Sequence, residues 1–427
     1  MGQAAFHRFL TAPSATTGVY WGGEHASWRD LAAHRVAGIR PGGAYLVDPS
    51  VGLASMAALL AVASIPDTTL LWATPGTVGG TRRQLAPGLH EIDPPVPGPT
   101  GRPHWGVATS GSSGAARIAI GHADAWELVA LHYERAMLQP AFDGRTPAVL
   151  ATCLPLQFSA AFFMVVLPGL FLQRDMVVFP THHWAPVSES SRETFVLSVP
   201  AVTAAACVGT AAPVDMRHVR LFLGGGHVTK TRVDLIRDRF RGVSLANLYG
   251  TAETGAVTVD HDPGHNQHVG QPILGKTVWI DEPDERGVGR VAVAGPDCCR
   301  YLWRPGTPPH AMGDHVEGMD YGRFDAAGNL CLEGRVDAGE KLHGVLIYPR
   351  AIERHLLRLA GVSDVRVLVE RRDSGLERLV ARIVGDVDPA AVRAHCLELD
   401  ELERPVGIEV FAEQAAGTAY NAHGKLR

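Results

Sequence analysis

The sequence predicts an α/β protein. A large N-terminal domain of layered, mostly parallel sheets and helices, with an antiparallel β subdomain, is expected before a small α+β C-terminal domain. Short, almost continuously apolar segments alternate with helical patterns up to about Gln271, which is typical of parallel strands covered on both faces. Beyond that point, apolar segments alternate with Asp, Glu and Gly turns, as antiparallel strands do. A chain of 427 residues is also too long for one ordinary hydrophobic core.

The first predicted elements are a capped helix and a series of buried strands. SWRDLAAHRV begins with Ser27 and places Asp30 three residues later, which predicts a capped amphipathic helix. An apolar helix is expected over residues 51–65, packed on the strand before it. Residues 93–103 are rich in proline and predict an exposed connection. The expected buried strands are AYLVDPS, TLLWATP, AVLATCLP, FVLSVP and LFLGGG.

The later part of the chain predicts two smaller units. KTVWIDEP and GRVAVAGP are the expected strands of the antiparallel subdomain. After Gly334, the order of elements is a helix (YPRAIERHLLRLA), two strands (DVRVLVERR and RLVARIVG) and a second helix (DPAAVRAHCLEL). This order is typical of a small α+β domain.

Composition and charge exclude several classes of protein. The formal net charge is −5 and the basic residues form no long run, so neither nucleic acid nor an anionic membrane surface is expected as the main partner. The six cysteines lack CxxC spacing, which disfavours a zinc knuckle or a disulfide framework and favours reduced thiols in a cytoplasmic protein. The first residues also lack the apolar region of a secretory signal.

Two apolar segments have the composition of a membrane span, but neither predicts one. Residues 51–65 are shorter than the roughly 20 residues that a span needs. Residues 149–172 are long enough, but Pro155, Gln157 and Pro168 interrupt them. We therefore expect no membrane insertion.

Residues 109–122 read TSGSSGAARIAIGH and are the first of four segments that bear on function. Glycine lets the backbone approach an anion, the hydroxyl groups add donors, and Arg117 adds a positive charge. The segment lacks the GxxxxGK[ST] pattern of a Walker loop, and a flexible Gly/Ser linker has a similar composition. The residues alone therefore leave both a phosphate-binding loop and a linker open.

Each of three later segments, taken alone, is compatible both with a functional role and with an ordinary surface turn or tail. NLYGTAETG offers an aromatic surface for a base in Tyr249 and an oxygen ligand for Mg²⁺ in Glu253. In MGDH, Asp314 can accept from ribose hydroxyls, and EGRVDAGEKLHG supplies two cations, Arg335 and Lys341, for phosphate oxygens. Solvated surface turns have the same composition. The terminal NAHGKLR has the character of a frayed tail.

Together, the order and spacing of these segments resemble the adenylate-forming ligases, a superfamily of acyl-CoA synthetases, peptide-synthetase adenylation domains and luciferases. The family's phosphate loop T-S-G-[ST]-T-G-x-P-K-G is similar to TSGSSGAARIA, and its YG-x-TE motif is similar to YGTAETG. Its GGAP, TGD, GR-x-D-x-x-x-K-x-x-G and T-x-x-G-K elements resemble GGGH, MGD, GRVDAGEKLHG and NAHGK. The resemblance extends from about Trp105 to the C-terminus.

The resemblance implies roles in ATP binding and catalysis. Thr251 would contact the α-phosphate, Glu253 would hold Mg²⁺, and Lys425 would be the catalytic lysine of adenylate formation. The positions implied in ATP binding are Thr109, Ser110, Gly111, Ser112, Ser113, Gly114 and Arg117 around the β- and γ-phosphates, Gly224, Gly225, Gly226, Tyr249 and Gly250 at the adenine, Asp314 at the ribose hydroxyls, and Arg335 at the ribose or a phosphate.

The resemblance also implies a division into domains. Asp337 would be the hinge between a large domain of residues 1–336 and a small mobile domain of residues 337–427. The small domain would bring the catalytic lysine into the site and later withdraw it. Lys341 and Gly344 would then border a channel for a thiol.

The segment that would bind the acid departs from the family. LPLQFSAAFF stands where acyl- and aryl-CoA synthetases commonly have L-P-x-x-H, with Phe158 in the histidine position. Ser159 stands where amino-acid-activating domains have an aspartate for the α-ammonium. An ammonium group without that partner would be costly to bury, so we predict an aryl or fatty acid without an α-amino group. Phe158, Ser159 and Phe162 are the expected pocket residues, with plain core packing also open for Phe162.

The resemblance therefore implies ATP- and Mg²⁺-dependent conversion of such an acid to an acyl-adenylate, with release of pyrophosphate. The acyl group would pass to the phosphopantetheine thiol of CoA or of an acyl carrier protein. Two alternatives stay open: an amide-forming ligase with an amine acceptor, and a catalytically silent nucleotide-binding homologue. Arg117, Ala116 and Asn421 replace the family's lysine, proline and threonine, which indicates a divergent branch.

Two further features bear on partners and metals. The region before Trp105 is shorter than is usual in the family. The resemblance implies that a shorter region would lack part of the wall of the acid-binding site or part of a homodimer surface. Histidines at residues 261–268 and at His182 and His183 raise the alternative of a metal site. The first group lies in a polar turn without the i, i+4 spacing of a helix, so zinc is not predicted.

Overall fold

The computed structural model describes residues 12–78, 82–92, 104–109, 117–122, 126–210, 212–265, 268–304, 306–335, 340–342, 345–371, 377–413, 420 and 426. This part of the chain folds into two large mixed sheets, a four-stranded antiparallel sheet, a three-stranded sheet and two short strand pairs. Helices are interspersed among the strands. The predicted α/β fold is confirmed.

The nine-stranded sheet contains the parallel core. Six adjacent strands run parallel, from Ser244–Thr251 on one side to Gly18–Trp21 on the other, and antiparallel strands flank them. Every residue of Val149–Thr152 and Thr194–Ser198 is buried, as expected of strands covered on both faces. In spatial order the strands are Gln271–Pro272, Gly255–Asp260, Ser244–Thr251, Val219–Gly224, Thr194–Ser198, Val149–Thr152, Asp175–Val178, Gly18–Trp21 and Glu24–Ser27.

The eight-stranded sheet is mixed. Thr69–Trp72 pairs in parallel with Ala44–Val47 and with His104–Ala108, and the other pairings are antiparallel. In spatial order the strands are His310–Ala311, Tyr301–Trp303, Ile118–His122, His104–Ala108, Thr69–Trp72, Ala44–Val47, Leu89–Ile92 and Arg82–Ala86. The predicted connection at residues 93–103 lies outside the described residues.

The helix after Ser27 begins where the sequence signal placed it. The Ser27 hydroxyl accepts the N–H of Asp30 at 3.1 Å, and the Asp30 carboxylate accepts the N–H of Ser27 at 3.3 Å, which confirms the cap. The helix predicted over residues 51–65 is observed as Leu53–Ala63. No helix in the described residues is long and apolar enough to cross a membrane. The helices are Trp28–Ala33, Leu53–Ala63, Trp126–Tyr133, Glu134–Leu138 (π), Gln139–Ala141, Ser159–Ala161, Phe162–Val166 (π), Leu167–Phe171, Ala185–Ser188, Pro200–Val208, Lys230–Arg239, Pro349–Leu356, Pro389–Cys396 and Glu401–Glu403 (3₁₀).

The later part of the chain forms the two predicted smaller units. The antiparallel sheet consists of Thr277–Asp281, Gly289–Ala294, Val316–Phe324 and Leu330–Arg335. The C-terminal unit, which we define as residues 340–426, has its own apolar core around Ile352, Val365 and Ile383. Its three-stranded sheet consists of Val362–Arg371, Glu377–Gly385 and Gly407–Phe411, beside the pair Glu340–Leu342 and Val345–Ile347. A further short pair is Val214–Asp215 and Phe240–Arg241.

All six cysteines are buried and none forms a disulfide. Burial raises the pKa of the Cys153 and Cys298 thiols to about 11. These thiols are therefore protonated at neutral pH, and they behave as small apolar side chains rather than as nucleophiles.

A buried arginine joins the C-terminal unit to the rest of the chain. Arg232, in the helix Lys230–Arg239, is 1% exposed, and its Nη1 lies 3.0 Å from Asp364 Oδ2. Arg232 Nη2 also donates to the hydroxyl of Tyr420, which in turn donates to Asp364 Oδ2 at 2.9 Å. Burial opposes the ionisation of Asp364, but Arg232 and these hydrogen bonds outweigh it and hold the pKa of the carboxyl well below its ordinary value.

His227 forms a second connection to the same carboxylate. Its Nδ1 lies 2.6 Å from Asp364 Oδ1, and its Nε2 lies 2.5 Å from Arg350 Nη1. A guanidinium group can only donate, so Nε2 accepts from Arg350 and Nδ1 carries the proton that His227 donates to Asp364. Thr229 Oγ1 adds a bond of 2.9 Å to the carbonyl of Ser363. The C-terminal unit is thus held by a directed polar interface.

We expect Asp364→Asn to destabilise the protein by about 3–5 kcal/mol, because it leaves Arg232 buried without its counter-charge. Urea denaturation measures the loss. The matched control is Asp234→Asn, which breaks an exposed ion pair with Lys230 and should cost about 1 kcal/mol or less. Equal stability of the two variants would contradict the importance of the buried pair.

The same carboxyl predicts a dependence of stability on pH. Its pKa is lower in the folded than in the unfolded chain, so its contribution is complete above about pH 4–5 and is lost as the pH falls further. The unfolding free energy of the wild type should therefore decline more steeply in acid than that of Asp364→Asn. Parallel urea titrations from pH 7 to pH 3 measure the difference, and identical slopes would contradict it.

Candidate functional site

Three predicted functional segments lie at the carboxyl ends of strands in the nine-stranded sheet. The strands concerned, Val149–Thr152, Val219–Gly224 and Ser244–Thr251, all run in the same direction, so their carboxyl ends meet at one edge. The segments at these ends are Phe158 and Ser159, residues 224–226, and residues 249–253. The fold therefore brings together positions that are almost 100 residues apart in the sequence.

This edge coincides with a reversal of strand order. Val149–Thr152 is followed in the chain by Asp175–Val178 on one side, whereas the next strand, Thr194–Ser198, lies on the other side. The two crossovers therefore leave a crevice above Val149–Thr152. Open α/β sheets bind their ligands in such a crevice at the carboxyl ends of the strands.

The turn that carries Glu253 is closed by two threonines. The hydroxyls of Thr251 and Thr254 lie 3.0 Å apart, and each accepts the backbone N–H of the other residue at 3.2 Å. The flanking strands approach so closely that a Cβ at Gly250 would lie 2.1 Å from the carbonyl oxygen of Gly255. Glu253 is half-buried in this turn, so its position is set by the backbone around it.

Tyr249 connects this turn to the four-stranded sheet. Its hydroxyl donates to Asp320 Oδ2 at 2.8 Å, and Asp320 lies opposite Arg335 in the pairing of Val316–Phe324 with Leu330–Arg335. The structure thus places the backbone of Arg335 near Tyr249. Sequence reasoning missed Asp320, because VEGMDYGRF carries no motif that marks this acid.

The predicted phosphate loop is the connection of a β-hairpin in the eight-stranded sheet. Ala108 lies opposite Ile118 in the antiparallel pair, and the N–H of Thr109 donates to the carbonyl of Arg117 at 2.8 Å. Thr109 Oγ1 is buried and has no hydrogen-bond partner among the described residues. Ser110, Gly111, Ser112, Ser113 and Gly114 lie outside the described residues.

Cys299 and Arg300 connect the three predicted parts of the site. The N–H of Cys299 donates to the carbonyl of Glu253 at 2.8 Å, and the N–H of Arg300 donates to the carbonyl of Ile120 at 2.7 Å. The carbonyl of Arg300 accepts the N–H of Met312 at 3.0 Å. Two residues after Met312, Asp314 is exposed. The turn, the hairpin and the MGDH segment are therefore tied to one short piece of backbone.

The predicted acid-pocket residues differ in their surroundings. Phe158 and Ser159 are half-buried and follow the carboxyl end of the strand Val149–Thr152. Phe162 is fully buried, with its ring centroid 5.4 Å from that of Trp72 and 6.1 Å from that of Trp105. Phe162 therefore lies in the aromatic core beneath the strand ends.

Several predicted positions cannot be placed. Lys425, Asp337 and Gly344 lie outside the described residues, and the side chains of Arg335 and Lys341 do as well. On either side of Lys425, Tyr420 contacts Arg232, and the carbonyl of Leu426 accepts from Arg366 at 2.6 Å. The roles assigned to these positions stay predictions.

The histidine-rich turn forms a hydrogen-bonded cluster with an acid. His265 Nε2 lies 2.6 Å from Asp260 Oδ2, and the two imidazole rings of His265 and His268 are 3.9 Å apart. His268 Nδ1 accepts the N–H of Gly270 at 3.2 Å. Burial and the neighbouring His265 lower the pKa of His268. One nitrogen of each imidazole therefore has a protein partner, and the three side chains bring potential metal-ligand atoms within 4.8 Å of one another.

Comparison with known proteins finds similarity over the region that contains these segments. A family model described as "AMP-binding enzyme" matches residues 107–303. CymA of Salinispora arenicola, described as a probable non-canonical nonribosomal peptide synthetase, is 28% identical to this chain over 242 residues. The 3,4-dihydroxybenzoate–[aryl-carrier protein] ligase of Bacillus anthracis is 24% identical over 171 residues. The matches cover 50% and 40% of this chain, but only 3% and 37% of those proteins.

Solved structures match almost the whole chain. ATP-bound MatB from Rhodopseudomonas palustris is 16% identical with a TM-score of 0.70, covering 96% of this chain and 95% of MatB. The anthranilate CoA ligase AuaEII is 13% identical with a TM-score of 0.72, covering 100% and 95%. The amide bond synthetase McbA from Marinactinospora thermotolerans is 20% identical with a TM-score of 0.68, covering 96% of both chains. At these identities the similarity concerns the fold.

We expect Gly250→Ala to destabilise the protein by about 3 kcal/mol. The added Cβ would meet the carbonyl oxygen of Gly255 on the paired strand, and this oxygen cannot move independently of the backbone. Thermal unfolding measures this cost. Gly76→Ala is the matched control, since its Cβ would meet nothing within 4 Å. If Gly250→Ala were as stable as this control, the close approach of the two strands would be wrong.

Proposed function

Because the chain carries an AMP-binding enzyme domain on the fold of the adenylate-forming ligases, we propose that it activates a carboxylic acid with ATP. The products are an acyl-adenylate and pyrophosphate. One observation carries the proposal: the glycine run, the turn with Glu253 and the ends of the hairpin at Thr109 and Arg117 belong to one connected region.

The described residues of this region fit a nucleoside triphosphate. The backbone of Gly225 and Gly226 is exposed at the strand edge, which allows a base or a ribose to approach. Thr109 supplies a buried hydroxyl without a partner among the described residues, and Arg117 supplies a positive charge at the other end of the hairpin. Phosphate oxygens satisfy both groups.

The reaction explains why these residue types are needed. A carboxylate attacks the α-phosphorus of ATP, and pyrophosphate leaves with the electrons of the broken P–O bond. Both reactants are anionic, so the site has to supply positive charge and oriented donors where negative charge accumulates. We assign this role to Arg117, to the hydroxyl of Thr251 at the α-phosphate, and to Lys425 between the carboxylate and the phosphate.

We assign Mg²⁺ binding to Glu253. A carboxylate is a preferred ligand of this ion, and the fixed turn holds Glu253 just beyond the strand that pairs with the strand ending in the glycine run. When bound, Mg²⁺ neutralises part of the charge on the phosphates. Asp314 and Arg335 are proposed to bind the ribose and a phosphate, and Asp337 to be the hinge of the C-terminal domain.

We propose an acid without an α-amino group, aryl or fatty, as the substrate. Ser159 is half-buried at the crevice and carries no charge to balance an ammonium group, whose burial alone would be costly. Phe158 beside it offers an apolar contact. These two side chains are the proposed specificity residues of the pocket.

The proposed acceptor is the phosphopantetheine thiol of CoA or of a carrier protein. The thiol would reach the site past Lys341 and Gly344, and the proposed location of the protein is the cytoplasm. AuaEII is a CoA ligase, and the Bacillus anthracis relative is an aryl-carrier protein ligase. McbA, an amide bond synthetase of similar fold, supports an amine acceptor as the second candidate. Product analysis with CoA, a carrier protein and an amine distinguishes them.

We expect ATP–pyrophosphate exchange with aryl or fatty acids and little with α-amino acids. A panel of all three classes, assayed with radiolabelled pyrophosphate, measures this preference. Ser159→Asp is expected to shift it towards α-amino acids, because the new carboxylate can pair with the ammonium group. ATP binding without exchange for any acid would favour a catalytically silent protein, and preference of the wild type for α-amino acids would refute the assignment of Ser159.

We expect Lys425→Ala to lower the exchange rate by about 100-fold or more while ATP binding stays largely intact, because the lysine acts on charge that develops in the transition state. Calorimetry measures binding and the exchange assay measures the rate. Lys230→Ala removes an exposed lysine on the helix Lys230–Arg239 and serves as the control. Full exchange activity in Lys425→Ala would refute its role.

A further inference from the structure

A completely buried ion pair lies beneath the turn that carries Glu253. The side chains of Lys276 and Asp297 are both 0% exposed, and Lys276 Nζ donates to Asp297 Oδ1. The hydroxyl of Tyr133, a residue that is 1% exposed, donates to Asp297 Oδ2. Lys276 precedes one strand of the four-stranded sheet, Asp297 follows another, and Tyr133 ends the helix Trp126–Tyr133.

Two of these side chains, Lys276 and Tyr133, bind the backbone of the turn directly, and Asp297 holds both of them. Lys276 Nζ donates to the carbonyl of Thr254. The Tyr133 hydroxyl accepts the N–H of Ala256 at 3.1 Å. Together with the bond from Cys299 to the carbonyl of Glu253, three peptide groups between residues 253 and 256 are fixed by buried donors and acceptors.

The glycine between these peptide groups is required by the same contacts. Gly255 has φ +63°, in the left-handed region, and a Cβ there would lie 1.9 Å from Asp297 Oδ2. The carboxylate of Asp297 therefore lies directly against the turn backbone. Any side chain at this position would displace either the carboxylate or the turn.

A buried ion pair is a poor means of gaining stability. Taking two charges out of water costs several kcal/mol each, and apolar side chains of similar volume are often equally stabilising. An apolar pair, however, cannot direct a hydrogen bond at a chosen peptide group. Burial and the neighbouring Asp297 raise the pKa of Tyr133 well above its ordinary value, so the phenol keeps the proton that it donates.

We propose that Lys276, Asp297 and Tyr133 are positioning residues, which hold the turn so that Glu253 and Thr251 present their side chains to Mg²⁺-bound ATP. This inference rests on the proposed function. The three residues touch neither ATP nor the acid; they act through the backbone of residues 253–256. Loss of the network releases the turn while the surrounding sheets stay folded.

The decisive variant replaces both charges with apolar side chains, as Lys276→Met combined with Asp297→Leu. We expect its urea midpoint to stay close to that of the wild type. The rate constant kcat for exchange should fall by about 100-fold, because a displacement of about 1 Å at reacting groups has effects of this size, while KM for the acid changes little.

Calorimetric titration with ATP, in the presence and absence of Mg²⁺, gives a second readout that requires no acid substrate. The wild type should bind ATP more tightly with Mg²⁺, and the double variant should lose this enhancement. Loss of the enhancement in a protein that shows no exchange with any acid would preserve the positioning role and refute the ligase function. Retention of both wild-type kcat and the Mg²⁺ enhancement would overturn the positioning role.

Two further variants complete the test. Arg290→Met combined with Glu317→Leu removes an ion pair of the same type on the four-stranded sheet, where both side chains are exposed, and should leave both readouts unchanged. Tyr133→Phe keeps the ring and the ion pair but removes the bonds to Asp297 and Ala256. It should fold in any case and lower kcat by about tenfold, and a wild-type kcat in this variant would also overturn the proposal.

Discussion

The parallel pairing of six adjacent strands is the constraint on which the candidate site depends. Because these strands share one direction, their carboxyl ends form a single edge, and the strand order reverses there beside Val149–Thr152. The glycine run at residues 224–226 and the turn with Glu253 are neighbours only because Gly224 is in register with Leu248. The hairpin of the second sheet is attached to this edge through Cys299 and Arg300.

Strand pairing alone does not fix the backbone of the turn at residues 253–256 or the position of the C-terminal unit. Two buried ion pairs contribute to both. Lys276 and Asp297 act on the backbone of one turn, whereas Arg232 and Asp364 act between two units of the chain. In both, the charges are held by hydrogen bonds from neutral groups, Tyr133 in one and Tyr420 in the other. In a medium of low dielectric constant, such networks tolerate only a narrow range of geometries.

Much of the fold and part of the site follow from local sequence. Apolar alternation marked the strands, Ser27 and Asp30 marked a helix start, and the ordered motifs indicated the family. The alternation of apolar segments with helices predicted mostly parallel sheets, which holds for the six core strands. It did not predict that most pairings in the eight-stranded sheet are antiparallel, because an apolar run by itself signals burial and not direction. Lys276 and Asp297 were also missed, since each is an isolated charge in its local sequence and the two meet only once the strands Thr277–Asp281 and Gly289–Ala294 have paired. Asp320 was missed as well, because its contact with Tyr249 joins residues that are far apart in the sequence.

His227 follows Gly226 directly, so the residue after the exposed glycine backbone is also the one that bonds to Asp364 and Arg350. A single peptide unit therefore separates the edge of the crevice from the side chain that binds the C-terminal unit. A ligand that bound and shifted this peptide would act on the bonds to Asp364 and Arg350, and by thermodynamic reciprocity those bonds would act on its affinity by the same factor.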